Sequence, residues 1–199
     1  GKKIGTIMFP SPHDITPQHL PEALVMLRKL LLAGNDVLIV SKPHLECIRA
    51  ICDELGEYRD QILFRFTIGS VDSSVLRFWE PNAPDYAERL ASLKLAYKRG
   101  YSTSVSCEPM LDNNVEAVVD AVSPFVTETI WIGKANRLRS QLKLNGHTDF
   151  ETTKKADELL GWQSDDNILA LYHRLKDNPL IRWKDSIKKA LAKHHINLT

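Results

Sequence analysis

Ile62-Leu63-Phe64-Arg65-Phe66-Thr67-Ile68-Gly69-Ser70 is the stretch whose reading decides the fold. Successive side chains of an extended strand point to opposite faces. Phe64, Phe66 and Ile68 therefore share one face, and Arg65 and Thr67 share the other. A helical pattern follows: Pro84 opens a run that turns Leu90, Leu93 and Ala96 to one side and stops at Gly100. A second strand, residues 102–107, comes next. Strand, crossover-length helix, strand is the signature of a βα unit in a parallel sheet.

The same alternation continues on both sides of that unit. Upstream, residues 4–9 and 37–40 read as strands, the second bounded by Asn35-Asp36 and Ser41-Lys42-Pro43. Between them Thr16 before Pro17 supplies an N-cap and a first-turn proline, Pro21 interrupts the segment near its start, and Gly34 closes it. Downstream, residues 113–122 form a helix ended by Ser123-Pro124, and residues 129–132 are a fifth strand. From Asn136 the pattern changes to loop through Gly146. Helical segments follow near residues 151–160, 165–175 and 180–195, with no strand between them. The expectation is an α/β unit over residues 1–136 and a C-terminal helical extension over 137–199.

The chain of 199 residues is long enough for one substantial core. Lys plus Arg is 26 against 25 for Asp plus Glu, so no global field draws it to nucleic acid or to a membrane surface. No apolar run approaches the roughly 20 residues of a membrane helix, and no signal-peptide pattern is present. The reading is a soluble, cytoplasmic protein. The start at Gly-Lys-Lys rather than Met suggests processing or a cut, with a natural N-terminus further upstream. Cys47, Cys52 and Cys107 show no disulfide-framework spacing, which fits a reducing compartment. Cys47 and Cys52 lie five apart on a helix, turned about 140° from each other, and read as packing residues.

Polar residues gather after each strand, where α/β proteins bind ligands. These are Pro10-Ser11-Pro12-His13-Asp14, Ser41-Lys42-Pro43-His44, Thr67-Ile68-Gly69-Ser70, Ser106-Cys107-Glu108-Pro109-Met110-Leu111-Asp112 and Gly133-Lys134-Ala135-Asn136. In the fourth strand Ser102, Ser104, Ser106 and Glu108 oppose Thr103, Val105 and Cys107. A polar row in a parallel sheet implies a face that lines water or a polar ligand, as in an open or wide barrel, or else an edge strand with one solvated face.

Residues 37–42, Phe64 through Ser70, Glu80-Pro81-Asn82-Ala83-Pro84, Glu88-Arg89-Leu90 and Glu108-Pro109-Met110-Leu111-Asp112 stand in this order over roughly residues 4–136. Together they resemble the radical S-adenosylmethionine superfamily, in its spore photoproduct lyase-like, DNA repair photolyase-like branch. The resemblance implies a partial TIM-type (βα) barrel, here of about five parallel strands. It also implies two cofactors, S-adenosylmethionine and a 4Fe-4S cluster. The cluster motif of that family, Cys-x-x-x-Cys-x-x-Cys, is absent from these residues, so this chain alone is expected to be inactive in the family's reaction.

By resemblance, the cosubstrate contacts are Ser11 near the methionyl amino end, Lys42 pairing with the carboxylate, Thr67 in the same region, and Ser106 and Glu108 reaching the ribose hydroxyls. Lys42 also reads as an exposed loop lysine, and Glu108 as a helix-cap or salt-bridge carboxylate. Glu80 and Arg89 read as a structural pair. Asp14 reads as a cap for the helix near Thr16. The implied partners are the small-molecule cosubstrate, a nucleic acid through the basic run Arg182, Lys184, Lys188, Lys189 and Lys193, and a second chain along the exposed first strand. The alternatives are a stand-alone nucleotide- or phosphate-binding module, and a hydrolase using His13, Asp14 and Glu108 around a divalent metal.

Overall fold

A computed structural model of the protein describes residues 1–10 and 13–198. Its centre is one sheet of six strands in the order β1-β2-β3-β4-β5-β6. The strands are β1 (Ile7–Phe9), β2 (Val37–Ser41), β3 (Ile62–Thr67), β4 (Ser102–Cys107), β5 (Ile130–Ile132) and β6 (Ile181–Trp183). Every neighbouring pair is parallel. The helices are α1 (Leu20–Leu32), α2 (Leu45–Glu54), α3 (Ser73–Trp79), α4 (Tyr86–Lys98), α5 (Val115–Val122), α6 (Leu138–Leu144), α7 (Phe150–Trp162), α8 (Asp165–Leu175) and α9 (Asp185–Ala192).

This strand order has a geometric consequence. Crossovers between parallel strands are right-handed, so a sheet that adds each new strand on the same side receives all its helices on one face. Burial follows that rule. Val37 and Ile39, Ile62, Phe64 and Phe66, Val105 and Cys107, Ile130 and Ile132, and Ile181 are buried in the core beneath the helices. Their alternates Leu38, Val40, Leu63, Arg65, Thr67 and Trp131 are half-buried, and Met8 and Arg182 are exposed. The sheet thus has one covered face and one open face, which explains the mixed alternation of β3. The sheet ends on two edges, β1 and β6.

Two expectations need correction. The strands number six rather than about five, and the stretch 137–199 is not wholly helical. Ile181, Arg182 and Trp183 pair with Ile130, Trp131 and Ile132, so the chain beyond residue 136 returns to extend the same sheet. Helices α6, α7 and α8 form the long connection between β5 and β6. The earlier helix boundaries shift less. Asp85 caps α4 by accepting from the Glu88 amide at 2.9 Å, and Asp149 caps α7 by accepting from the Thr152 amide at 2.9 Å. Pro21 sits in the first turn of α1 rather than interrupting it. Thr16 makes no side-chain cap, whereas Gly34 closes α1 at φ 77°, a conformation glycine adopts without strain.

Candidate functional site

The register of the sheet assembles a polar surface on the open face. Arg65 pairs with Ser104 and Thr67 with Ser106 across β3 and β4; Ser106 then pairs with Trp131, and Trp131 with Arg182. Side-chain alternation puts all of these on the face that carries no helices.

One half of the site is built around Trp131. Arg65 Nε donates to Ser104 Oγ at 3.1 Å, and the guanidinium carbon lies 5.3 Å from the Trp131 ring centroid. Partial burial lowers the pKa of the Arg65 guanidinium from its ordinary value, because taking a charge from water disfavours the charged form. Ser104 is buried and its hydroxyl donates to the Thr129 carbonyl at 2.6 Å. Lys184, directly after β6, places its ammonium 5.3 Å from the same Trp131 ring and 2.8 Å from Glu108 Oε2. Glu108 packs flat on the backbone of Gly133: a Cβ there would stand 2.7 Å from Glu108 Oε1. Glu108 is thus a salt-bridge carboxylate, and Lys184 ties the ends of β4 and β6 together.

The other half is an ion-pair chain. Asp14 Oδ1 accepts from the Lys42 amide at 2.7 Å and from Ser41 Oγ at 3.3 Å, while Oδ2 lies 3.2 Å from Lys42 Nζ. Asp14 therefore holds the end of β2 rather than capping the helix near Thr16. Lys42 Nζ also approaches Glu80 Oε1 at 3.9 Å, and Glu80 Oε2 lies 2.7 Å from Arg89 Nη1. Arg89 is wholly buried. Its Nε donates to the Pro84 carbonyl at 2.8 Å and its Nη1 to the Thr67 carbonyl at 3.2 Å. The expected Glu80–Arg89 pair is present, with Thr67 backbone fastened to it.

Four of the five sequence-based cosubstrate residues, Lys42, Thr67, Ser106 and Glu108, therefore stand at the ends of β2, β3 and β4. Ser11, the fifth, lies outside the described residues. Thr67 and Ser106 are register partners, whereas Lys42 and Glu108 flank them and each already faces an opposite charge. The hydrolase set is not gathered: Asp14 turns to Lys42 and Glu108 to Lys184, while His13 Nδ1 lies 3.1 Å from the Asp14 carbonyl. Sequence reasoning missed Trp131 and Lys184 as members of the site. The signal for Trp131 was its alternation with Ile130 and Ile132; Lys184 stood out only as one of the basic run, because the segment that forms β6 before it reads as helix.

The three thiols do not suit a cluster. Cys47 and Cys52 are buried on α2, and Cys107 is buried on the covered side of β4. Burial is the leading cause that pushes their pKa values up, to about 11, 11 and 12, so without a metal all three remain protonated at neutral pH. Among the described residues, no group of three or more His, Cys, Asp and Glu gathers to hold a metal ion. Nor is any helix among them long and apolar enough to cross a membrane.

Fold and site together define a class: a one-sided parallel βα sheet with a charged, aromatic site on its open face at the carboxyl ends of its strands. No family model matches the chain. It is 31% identical over 109 residues to the uncharacterized protein ORF301 of Acidianus two-tailed virus. That similarity covers 54% of this chain and 36% of the viral protein, so the aligned part spans about a third of that relative's length.

Proposed function

We propose that the open face binds S-adenosylmethionine and that the chain is part of a radical S-adenosylmethionine enzyme whose 4Fe-4S cluster is held by residues outside these 199. What supports this reading is that Lys42, Thr67, Ser106 and Glu108 stand at the carboxyl ends of the adjacent strands β2, β3 and β4, with Thr67 and Ser106 as register partners. In such an enzyme the cluster supplies the electron that cleaves the sulfonium. The residues of this chain bind and orient.

Lys42 is a point charge for the methionyl carboxylate, with Asp14 and Glu80 holding it in place. Thr67 and Ser106 offer hydroxyls between it and Glu108, whose carboxylate accepts from ribose hydroxyls while Lys184 steadies one of its oxygens. The short edge strand β1 offers unpaired backbone groups to one further strand, either the one bearing the cluster ligands or a second copy of the chain. The substrate of the reaction, a nucleic acid among the candidates, enters over the same open face.

Calorimetric titration of the 199-residue chain with S-adenosylmethionine tests the reading. One site is expected, weakened about tenfold or more by Lys42→Ala and by Glu108→Gln. A chain that binds ATP but not S-adenosylmethionine would instead be the phosphate-binding module.

A further inference from the structure

We propose that Arg65, flanked by Trp131, is a binding site for an oxyanion: the carboxylate or phosphate group of a ligand lying on the open face of the sheet. The inference goes beyond the S-adenosylmethionine reading and stands whether or not that cosubstrate binds.

A guanidinium carries five N–H donors in a rigid fork. The Nε donor of Arg65 goes to Ser104 Oγ; among the described residues its two Nη groups make no hydrogen bond and no carboxylate pairs with it. The carboxylates at the strand ends are committed to other cations: Glu108 to Lys184, Asp14 to Lys42, and Glu80 to Arg89. Arg89 shows what a structural arginine looks like in this fold: its Nη2 also lacks a partner among the described residues, but the group is wholly buried and its charge is met by the Glu80 carboxylate, with two carbonyls accepting from Nε and Nη1. Arg65 is half-buried, on a central strand, with no counter-charge.

Contact with Trp131 accounts for the stacking and leaves the Nη donors unused. Those donors form the fork that fits two oxygens of a carboxylate or phosphate. The wall beside it is also cationic. Among the described residues Arg182 donates only to the carbonyls of Pro179 and Ile181, and on the far side of the Trp131 ring from Arg65 a cavity of about 350 Å³ at the β6 edge is lined by Trp131, Arg182 and Lys188, without Arg65. The indole Nε1 of Trp131 is buried without a partner among the described residues, so the ring offers a ligand its face and edge and not its N–H. Unpaired donors, positive charge and a flat aromatic wall on a face without helices are the chemistry of an anion pocket.

The test uses the full chain, ¹⁵N-labelled, titrated at constant ionic strength with inorganic phosphate and separately with acetate. Arginine N–H and indole N–H resonances are followed, with Trp131→Phe assigning one indole signal. The expected result is a saturable shift of the Arg65 and Trp131 signals with at least one anion, the tighter of the two naming the source as phosphoryl or carboxylate. Arg65→Gln is expected to abolish it, and Arg65→Lys, which keeps the charge and loses the fork, to weaken it about tenfold. If the Gln variant does not fold, the Lys variant carries the comparison. Absence of a saturable shift with both anions, or undiminished binding in the variants, overturns the proposal.

Discussion

Arg89, fully buried, holds the Glu80 carboxylate at 2.7 Å beneath the site. Glu80 also leans toward Lys42, and Arg89 bonds the Thr67 carbonyl. The positions of Lys42 and Thr67, at the ends of adjacent strands, are thus set by one buried charge pair that itself stays off the open face. Residues at the site are oriented from behind, by an arginine and a glutamate that a ligand need not touch.

Removing one member of that pair leaves the other charge buried and uncompensated, which costs on the order of 3–5 kcal/mol. Glu80→Ala is expected to lower stability by roughly this amount, since Arg89, on the buried face of α4, cannot reach water. Urea unfolding followed by circular dichroism measures it. A loss below about 1 kcal/mol would mean that the pair behaves as an exposed one.

Two glycines are expected to respond unequally to alanine. At Gly69 a Cβ would stand 2.6 Å from the Pro109 carbonyl oxygen and 3.0 Å from Leu111, in a loop whose next two amides are bonded to the Gly133 and Gly69 carbonyls and so has little room to give way. At Gly133 the crowding atoms belong to the Glu108 side chain, which can rotate off at the expense of its pair with Lys184. Gly69→Ala should cost about 1–3 kcal/mol. Gly133→Ala should be milder for stability and should show its main effect on ligand binding. Melting temperatures of the two variants give the order.

The buried cysteines set an alkaline limit. Each folded thiol has a pKa above the ordinary 9.0, at about 11 for Cys47 and Cys52 and about 12 for Cys107. The unfolded chain therefore gives up these protons first as pH rises, and folding stability, complete below pH 9.0, falls as pH climbs toward the folded values. Unfolding midpoints measured across that window should decline, and the slope should flatten in Cys52→Ala. At neutral pH the native protein should react slowly with a thiol reagent and release all three thiols on denaturation.

How far the sequence could be read follows from which signals are local. β3 and β4 were legible because each has enough residues to show alternation, β2 because it is an apolar run between Asn35-Asp36 and Ser41-Lys42-Pro43, and the segment 165–175 coincides with α8 because Ser164 caps it and Ile168, Leu171 and Leu175 form its buried stripe. β6 was not legible. It has three residues, and Trp183 falls at helical spacing with Ile187 and Leu191, so its strand identity exists only through pairing with β5. α6 was read as loop because it buries nothing and so carries no periodic apolar pattern. At the site, residue types at strand ends could be found from sequence, but the partners that engage them could not: Asp14 with Lys42 is 28 residues apart, and Lys184 with Glu108 depends on the strand that was missed.

Asp165 joins three elements across the C-terminal region. It lies 2.6 Å from Lys193 and 3.5 Å from Lys134, and the hydrogen bond from Lys193 is the leading cause holding its carboxyl below the usual range. A depressed carboxyl pKa stabilises the fold above the unfolded value of 3.8, and that contribution is lost as pH falls through the folded one. Since the carboxylate is largely solvated, Asp165→Asn should cost under about 1 kcal/mol and the loss should shrink further in high salt. Acid-unfolding curves of the two proteins, at low and high salt, are the check.

Gln163 presents the sharpest case for a single buried amide. Nε2 donates to the Met110 carbonyl at 2.8 Å and Oε1 accepts from the Ala135 amide at 2.8 Å, so one side chain at the end of α7 clamps the loops that follow β4 and β5. Both backbone groups belong to the segments that set Glu108 and Lys134 in place. Gln163→Leu matches the volume and leaves the buried Met110 carbonyl without a partner, at about 1–3 kcal/mol, and the half-buried Ala135 N–H without its acceptor, at less. Gln163→Glu retains the acceptor for Ala135 and sets carboxylate oxygen against the Met110 carbonyl. The Glu variant should therefore be rescued toward wild-type stability by acidification, which protonates the carboxyl and restores a donor, while the Leu variant should not. Thermal unfolding of both variants across the acidic range distinguishes a polar clamp from simple packing, because packing alone predicts no pH-dependent rescue.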